Sequence, residues 1–353
     1  MKSENYGFYY NRIMGNSEQS CKHIFHSKWI AFLDGILLPY SNGIQLRIGN
    51  HLRPLLVYWG NALGTEKEES ILNEDVTELA ICVEILHKVS IIVDDLIDHD
   101  VKRHSKTAFH IQYTSEETII FAVFMLGKAF ERISILSQKF NDLENPFSNI
   151  YAKTLQEMAN GCLLELSLTI EQRYKYENIL AIICKETSTL IKNSLLLGFM
   201  TNKPTEHETI QMIELIGDKV GYLFQAMNDL EPFCSANNLI QHKGVLNMDF
   251  DHSRKNIVLP YIYGSCSTHE KKKLLKSDEM DLEMVLDLYK KYKIEEIIKN
   301  DLKNIEDGLE NNFSELSDMQ INLSCLKDFR KFYADIMHIA KERLNSASKE
   351  PID

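Results

Sequence analysis

An all-α fold in a single domain is predicted by three features of the sequence. Apolar residues recur every three or four positions along most of the chain, no segment alternates with the two-residue period of a strand, and no linker interrupts the pattern. The 353 residues contain only 7 prolines and 15 glycines, scattered rather than clustered, and no internal repeat is visible. With 44% hydrophobic residues, one large helical core spanning residues 1–353 is the simplest arrangement.

Each element follows from its local spacing. From Leu79 to Val93, the residues Leu79, Val83, Leu86, Ser90 and Val93 fall at three- and four-residue steps, and Ile85, Val89 and Ile92 widen the stripe. A helix buried on most sides is expected there. The same rule predicts helices over about Phe121 to Leu136, Tyr151 to Leu168, Ile179 to Met200, Thr209 to Leu230 and Ile257 to Tyr263. Charge rises from about residue 270 to 349, with runs such as Lys271-Lys272-Lys273, and predicts amphipathic outer helices with solvated faces. The chemistry-bearing core then lies at about 45–265.

Composition excludes several function classes. A formal net charge of −12 opposes nonspecific binding to a phosphate backbone, so no nucleic-acid partner is expected. An anionic small molecule would need local help from metal ions or a few placed bases. Seven cysteines, odd in number and without a CxxC pair, suit reduced thiols in the cytoplasm better than a disulfide framework or a zinc site. The first residues lack an apolar targeting core, and no apolar run approaches the ~18–20 residues of a membrane span. No GxGxxG or GxxxxGK[ST] occurs, which removes the common nucleotide-binding readings. His99 and His104 with Asp98 and Asp100 lack the soft ligands of a zinc centre and read as a polar loop.

Two acidic helix ends carry the chemistry. Asp94-Asp95-Leu96-Ile97-Asp98 closes the most apolar helix, and Asp94 and Asp98, four apart, stack on one face at a spacing that shares divalent cations. Acids at a helix C-terminus oppose its dipole, at a cost of a few tenths to ~1 kcal/mol each unless a cation compensates. The second end is Phe224-Gln225-Ala226-Met227-Asn228-Asp229-Leu230-Glu231, where an amide carbonyl and carboxylates offer further hard oxygens. Alone, each reads as an acidic patch or a turn. As a pair they suit a metal site between facing helices, as in bundle cores. Arg53, Arg103, Arg254 and Lys255 each adjoin an apolar segment, where they are suited to holding a phosphate group.

Together these segments resemble the trans-isoprenyl diphosphate synthases, the polyprenyl synthetase family. Gly49-Asn50-His51-Leu52-Arg53-Pro54 is similar to the family's GKxxRP. His87 through Asp98 is similar to its first aspartate-rich motif, and Arg103-His104-Ser105-Lys106-Thr107-Ala108-Phe109-His110 to the RRGxPTxH that follows. Phe224 to Asp229 resembles FQxxDD, and His242-Lys243-Gly244, Asp249 and Arg254-Lys255-Asn256 match the downstream lysine elements. The five segments occur in the family order from Gly49 to Pro260.

The resemblance implies one isoprenoid-synthase-type helical bundle around a deep central cavity, with both acidic motifs at its mouth. It implies three magnesium ions, or manganese in their place, held by Asp94, Asp95, Asp98, Asn228 and Asp229. It further implies an allylic substrate (geranyl, farnesyl or geranylgeranyl diphosphate), isopentenyl diphosphate as acceptor, and a homodimer. Asp94, Asp95, Asp98 and Arg103 would be catalytic. Arg103 and Arg254 would help bind the allylic diphosphate, Arg53 and His87 would contact the homoallylic one, and Gln225 and Lys255 would also bind substrate. Val89 and Ser90 would form the cavity floor, neither being a Phe or Tyr plug, so products of about C15 to C20 or longer are expected. Such chemistry needs metals and bases to stabilise the leaving diphosphate while water is kept out.

Departures from the family pattern define the alternatives. Asn50 replaces a lysine, His104 an arginine and Glu186, before Thr187, a lysine; Asn228 and Pro232 replace acids of the second motif. Either Lys185, Lys106 and Lys255 substitute for the lost bases, or the acceptor is an aromatic or peptide nucleophile. Asn228-Asp229 also resembles the start of the metal motif of class I terpene synthases, but Pro232 and Ala236 stand where that motif needs Ser/Thr and an acid. A silent regulatory subunit is the reading from a different class, and the intact first motif with Arg103 argues against it.

Overall fold

The computed structural model of the protein describes residues 21–37, 51–65, 73–103, 106–204, 206–234, 241–242, 245–246, 255–276 and 282–347. Thirteen helices of more than one turn account for most of them. These are α1 (Cys21–Leu37), α2 (Leu52–Leu63), α3 (Glu74–Ile97), α4 (Ser115–Lys139), α5 (Phe147–Ser167), α6 (Tyr176–Ile183) and α7 (Thr189–Met200). They continue with α8 (His207–Leu230), α9 (Val258–Ser265), α10 (Thr268–Leu274), α11 (Leu282–Lys291), α12 (Ile294–Ser317) and α13 (Leu323–Ala347). Among the described residues the only strands are two-residue antiparallel pairs, β1 (Lys102–Arg103) with β2 (Lys106–Thr107) and β3 (Gln241–His242) with β4 (Val245–Leu246). The all-α expectation holds.

Local chemistry sets the helix ends. The Asn73 side chain accepts from the Asp75 N–H and starts α3 one turn before the apolar stripe begins. Thr114 and Glu117 form a reciprocal capping box on α4, and Ser267 with Glu270 does the same on α10. The apolar stripe from Ile179 to Met200, expected as one helix, is divided: a π-helical turn at Cys184–Ser188 separates α6 from α7. Such wide turns insert a residue and re-aim the side chains around it.

The core is one connected apolar cluster, reaching from Phe25 in α1 to Leu344 in α13. Helix α2 packs most closely on α7, where Gly60 and Gly198 bring the two backbones together. A Cβ at either glycine would collide with the carbonyl of Leu195 or Val57. Helix α3 lies between α2 and α4, and α8 between α7 and the pair α12 and α13. The C-terminal helices are amphipathic as expected, α12 burying Ile294, Ile298, Leu302, Leu309, Phe313 and Leu316. Helix α13 is more than an outer layer. Its Phe329 and Phe332 rings lie 5.2 and 4.6 Å from that of Trp59 in α2. No helix among the described residues is long and apolar enough to cross a membrane.

Candidate active site

The first acidic motif sits where α3 ends. Asp94 and Asp95 occupy the last turn, and Asp98 caps it, its N–H donating to the Asp94 carbonyl at 2.9 Å. No basic residue occupies that turn to offset the helix dipole. His99 then adopts a left-handed conformation (φ 54°), turning the chain away, and the Asp100 N–H bonds back to the Asp95 carbonyl. The three carboxylates are not equivalent: Asp95 is 3% exposed, whereas Asp94 and Asp98 are half-buried. Asp98 lines a cleft of about 160 Å³ with Ile97, His99, Cys162, Glu165 and Arg173. Burial pushes the Cys162 thiol up, and after the opposing Lys255 charge the Asp94 carboxylate adds most to that rise.

The second motif ends α8 and is used differently. Both carboxylate oxygens of Asp229 accept hydrogen bonds, one from Gln225 Nε2 at 2.6 Å and one from the Ile257 N–H at 2.8 Å. Gln225 is itself oriented by the Thr187 hydroxyl, which donates to its Oε1 at 2.9 Å. Asn256 Nδ2 donates to the Asp229 carbonyl at 3.1 Å. Asp229 therefore ties α8 to the start of α9 and fixes the segment carrying Lys255. Asn228 beside it is half-buried.

A donor set of this kind fits a hard divalent cation in part. Two carboxylates one turn apart at a partly open cleft are the ligands magnesium favours, with phosphate oxygens and water completing its octahedron. Among the described residues no three His, Cys, Asp or Glu side chains enclose a single ion position. The protein offers part of a shell, at Asp94 and Asp98 with Asn228 as a neutral oxygen donor.

A buried charge cluster lies further back along α3, within three turns of Asp94. Glu84, fully buried on α3, bonds His51 at 3.0 Å and pairs with Lys88 at 3.2 Å and His87 at 3.5 Å. Burial would raise the Glu84 carboxyl, yet the Lys88 charge and the two imidazoles hold it well below the usual range. Burial and then the Arg53 charge push His87 down to about 3, so it is neutral at physiological pH. The Arg53 guanidinium lies 5.1 Å from the centre of the Phe224 ring, which precedes Gln225 on α8. The cluster thus joins α2, α3 and α8. Glu84 and Lys88 were missed by motif reading, although Glu84, His87 and Lys88 at i, i+3 and i+4 interrupt an otherwise apolar stripe.

Lys255 lies near the first motif, within reach of the Asp94 charge. Its N–H and Nζ bond the two oxygens of Glu165 at 2.9 and 3.1 Å, and Nζ also pairs with Glu186. Burial lowers the Lys255 pKa, but the Glu165 and Asp94 charges outweigh it and the net shift is upward. Lys185, the other base near the wide turn, pairs with Glu157. Glu165 had no motif to mark it. Val89 is buried and Ser90 half-buried, its hydroxyl donating to the His87 carbonyl at 2.9 Å, one turn before Asp94. Asn50, His104, Ala236 and Arg254 lie outside the described residues, as do the side chains of Arg103, Lys106 and Pro232.

Residues 39–292 match the family model described as polyprenyl synthetase. The geranylgeranyl diphosphate synthase of Saccharolobus solfataricus is 24% identical over 233 residues, an alignment that spans 65% of this chain and 66% of that enzyme. A solved decaprenyl diphosphate synthase from Rhodobacter capsulatus superposes with a TM-score of 0.69 at 17% identity, covering 97% of this chain and 96% of that one. A polyprenyl synthase from Caulobacter crescentus, solved with calcium and isoprenyl diphosphate, superposes with a TM-score of 0.64 at 16% identity, covering 98% and 94%.

Proposed function

Because this chain belongs to the polyprenyl synthetase family, we propose that it is an isoprenyl diphosphate synthase, a prenyltransferase that ionises an allylic prenyl diphosphate and adds isopentenyl diphosphate to the resulting cation. The observation that carries this reading is Asp98 on a cleft at the end of the apolar helix α3, with Asp94 one turn before it and close enough to Lys255 for their charges to interact. Magnesium or manganese bound there would supply Lewis-acid charge to the leaving diphosphate. Asp94 and Asp98 would hold the ions from the protein side, with Asn228 as a neutral oxygen donor, while Asp229, its carboxylate bonded to Gln225 and the Ile257 N–H, would fix the end of α8 that presents Asn228. Asp95, buried and bonded through its carbonyl to Asp100, shapes the turn that presents them.

The remaining residues bind and orient. Arg53 and neutral His87 form the acceptor side, and His87 gives the acceptor a hydrogen-bonding group without adding charge. Gln225, Lys255, Arg103 and Arg254 serve the allylic diphosphate. When the allylic carbon–oxygen bond breaks, the diphosphate leaves with the electron pair. The acceptor double bond then forms the new carbon–carbon bond, and loss of a proton restores an alkene. The apolar walls of α3 exclude water from the cation. Val89 and Ser90 are small enough at the floor for products of about C15 to C20 or longer, in line with the geranylgeranyl product named for the Saccharolobus relative.

We place the enzyme in the cytoplasm as a single-domain homodimer. Free thiols at Cys82, Cys162, Cys184, Cys266 and Cys325 support the first statement. The exposed apolar side of α4, with Ile119, Ile120 and Val123, supports the dimer. Incubation with magnesium and geranyl or farnesyl diphosphate, with and without isopentenyl diphosphate, tests the function by mass spectrometry. Elongated diphosphates formed only with the acceptor are expected. Hydrocarbons or alcohols formed without it would mean a terpene synthase, and an inert allylic substrate in every mixture would sink the assignment.

A further inference from the structure

Glu186 stands where the family resemblance leads one to expect a diphosphate-binding lysine, and it does the opposite of a lysine. The π-helical turn at Cys184–Ser188 carries it toward α5, where Gly161 leaves the room it needs: a Cβ there would meet Glu186 Cγ at 2.5 Å. One of its oxygens pairs with Lys255 Nζ. The other, Oε1, is buried and makes no hydrogen bond to any described residue. Lys255 does not need Glu186 as an anchor, since Glu165 already holds both its N–H and its ammonium. A second carboxylate turns the cluster of Lys255, Glu165 and Glu186 from neutral to net negative, next to Asp94. An oxygen left unsatisfied in the interior is costly, so packing alone does not account for it.

We propose that Glu186 is a specificity-determining residue that holds the Lys255 ammonium from the leaving group and lowers the intrinsic affinity of the site for diphosphate. Diphosphate binding then depends more steeply on metal ion than on basic side chains, and inorganic pyrophosphate leaves readily after transfer. The proposal rests on the reading that this cleft takes a diphosphate.

Calorimetric titration of the full chain with inorganic pyrophosphate at saturating magnesium tests it without relying on turnover. Removing one negative charge beside the site should tighten pyrophosphate binding by at least about threefold in Glu186→Gln, the effect growing as the local dielectric constant falls below that of water. Glu186→Lys should tighten it further, and the KM for the allylic diphosphate should fall in both variants without a rise in kcat. Circular dichroism establishes that each variant is folded, and Glu186→Lys, which restores the family residue, serves if the glutamine variant is not. Equal pyrophosphate affinity in the wild type and the folded variant, or weaker binding in the variant, overturns the proposal. Absence of pyrophosphate binding to any of the three proteins overturns instead the reading of the cleft as a diphosphate site, and this proposal with it.

Discussion

His87 remains uncharged in the folded chain because burial disfavours its imidazolium and the Arg53 guanidinium disfavours it further, lowering its pKa from 6.5 to about 3. An unfolded chain takes up that proton near pH 6.5, whereas the folded chain refuses it until about 3. Stability is therefore intact above 6.5 and declines through that window as the pH falls, by up to ~1.4 kcal/mol per pH unit for one proton. Glu84 adds to the loss at lower pH: its depressed carboxyl stabilises the fold above its unfolded value and ceases to as the pH falls through its folded one. His87→Gln should consequently flatten the dependence of the melting midpoint on pH between 7.5 and 5. A variant that lost as much midpoint as the wild type over that range would show that the proton enters elsewhere. The residues of the site and of this cluster were legible to different degrees. Asp94 and Asp98 declare themselves by their four-residue spacing at the end of an apolar run. Glu84 and Lys88 show only as polar interruptions, because their partner His51 lies 33 residues before Glu84. Glu165 was invisible, as nothing in sequence joins it to a lysine 90 residues away.

Elements were more legible than their joints. Helical periodicity marks α3, α4, α5 and α8 because each buries a continuous stripe, and the stripe continues whether or not the backbone makes a wider turn. The π-helical turn between α6 and α7 leaves the apolar rows of Ile179 to Met200 in place, so periodicity alone reads one helix. The two-residue strand pairs are too short for any alternation to develop. Close helix contacts are equally silent until the neighbour is known: Gly60 and Gly198 lie in α2 and α7, 138 positions apart, and each fits against the other helix's backbone. Helix α2 also carries Arg53, so the spacing of these helices bears on the site. Gly198→Ala should push α7 away from α2 and destabilise the protein by about 1–3 kcal/mol, the range of an overpacked core. Denaturant unfolding would register this as a lower midpoint. An unchanged midpoint would mean that the two backbones have slack at the crossing.

At the scale of the whole molecule, α4 has two apolar sides where a surface helix needs one. Phe121, Met125, Ala129, Ile133 and Leu136 face the core, while Ile119, Ile120 and Val123 are 52%, 69% and 63% exposed. An amphipathic surface helix turns charge toward water, and a helix apolar on both sides is one that gets covered. The net charge of −12 makes the question sharper, because two like-charged copies associate only if the apolar contact outweighs their mutual repulsion. A dimer built on this side of α4 should accordingly tighten with salt, which screens the repulsion and leaves apolar burial intact. Sedimentation should then find a species of twice 40.9 kDa that persists at high ionic strength. Replacing Ile120 and Val123 together by Glu should convert it to monomer while leaving the core residues of α4, and hence the melting midpoint of the isolated chain, in place. A wild-type protein sedimenting as a monomer at micromolar concentration and high salt, or a double variant that stays dimeric, would show that this side of the helix is not what joins the copies.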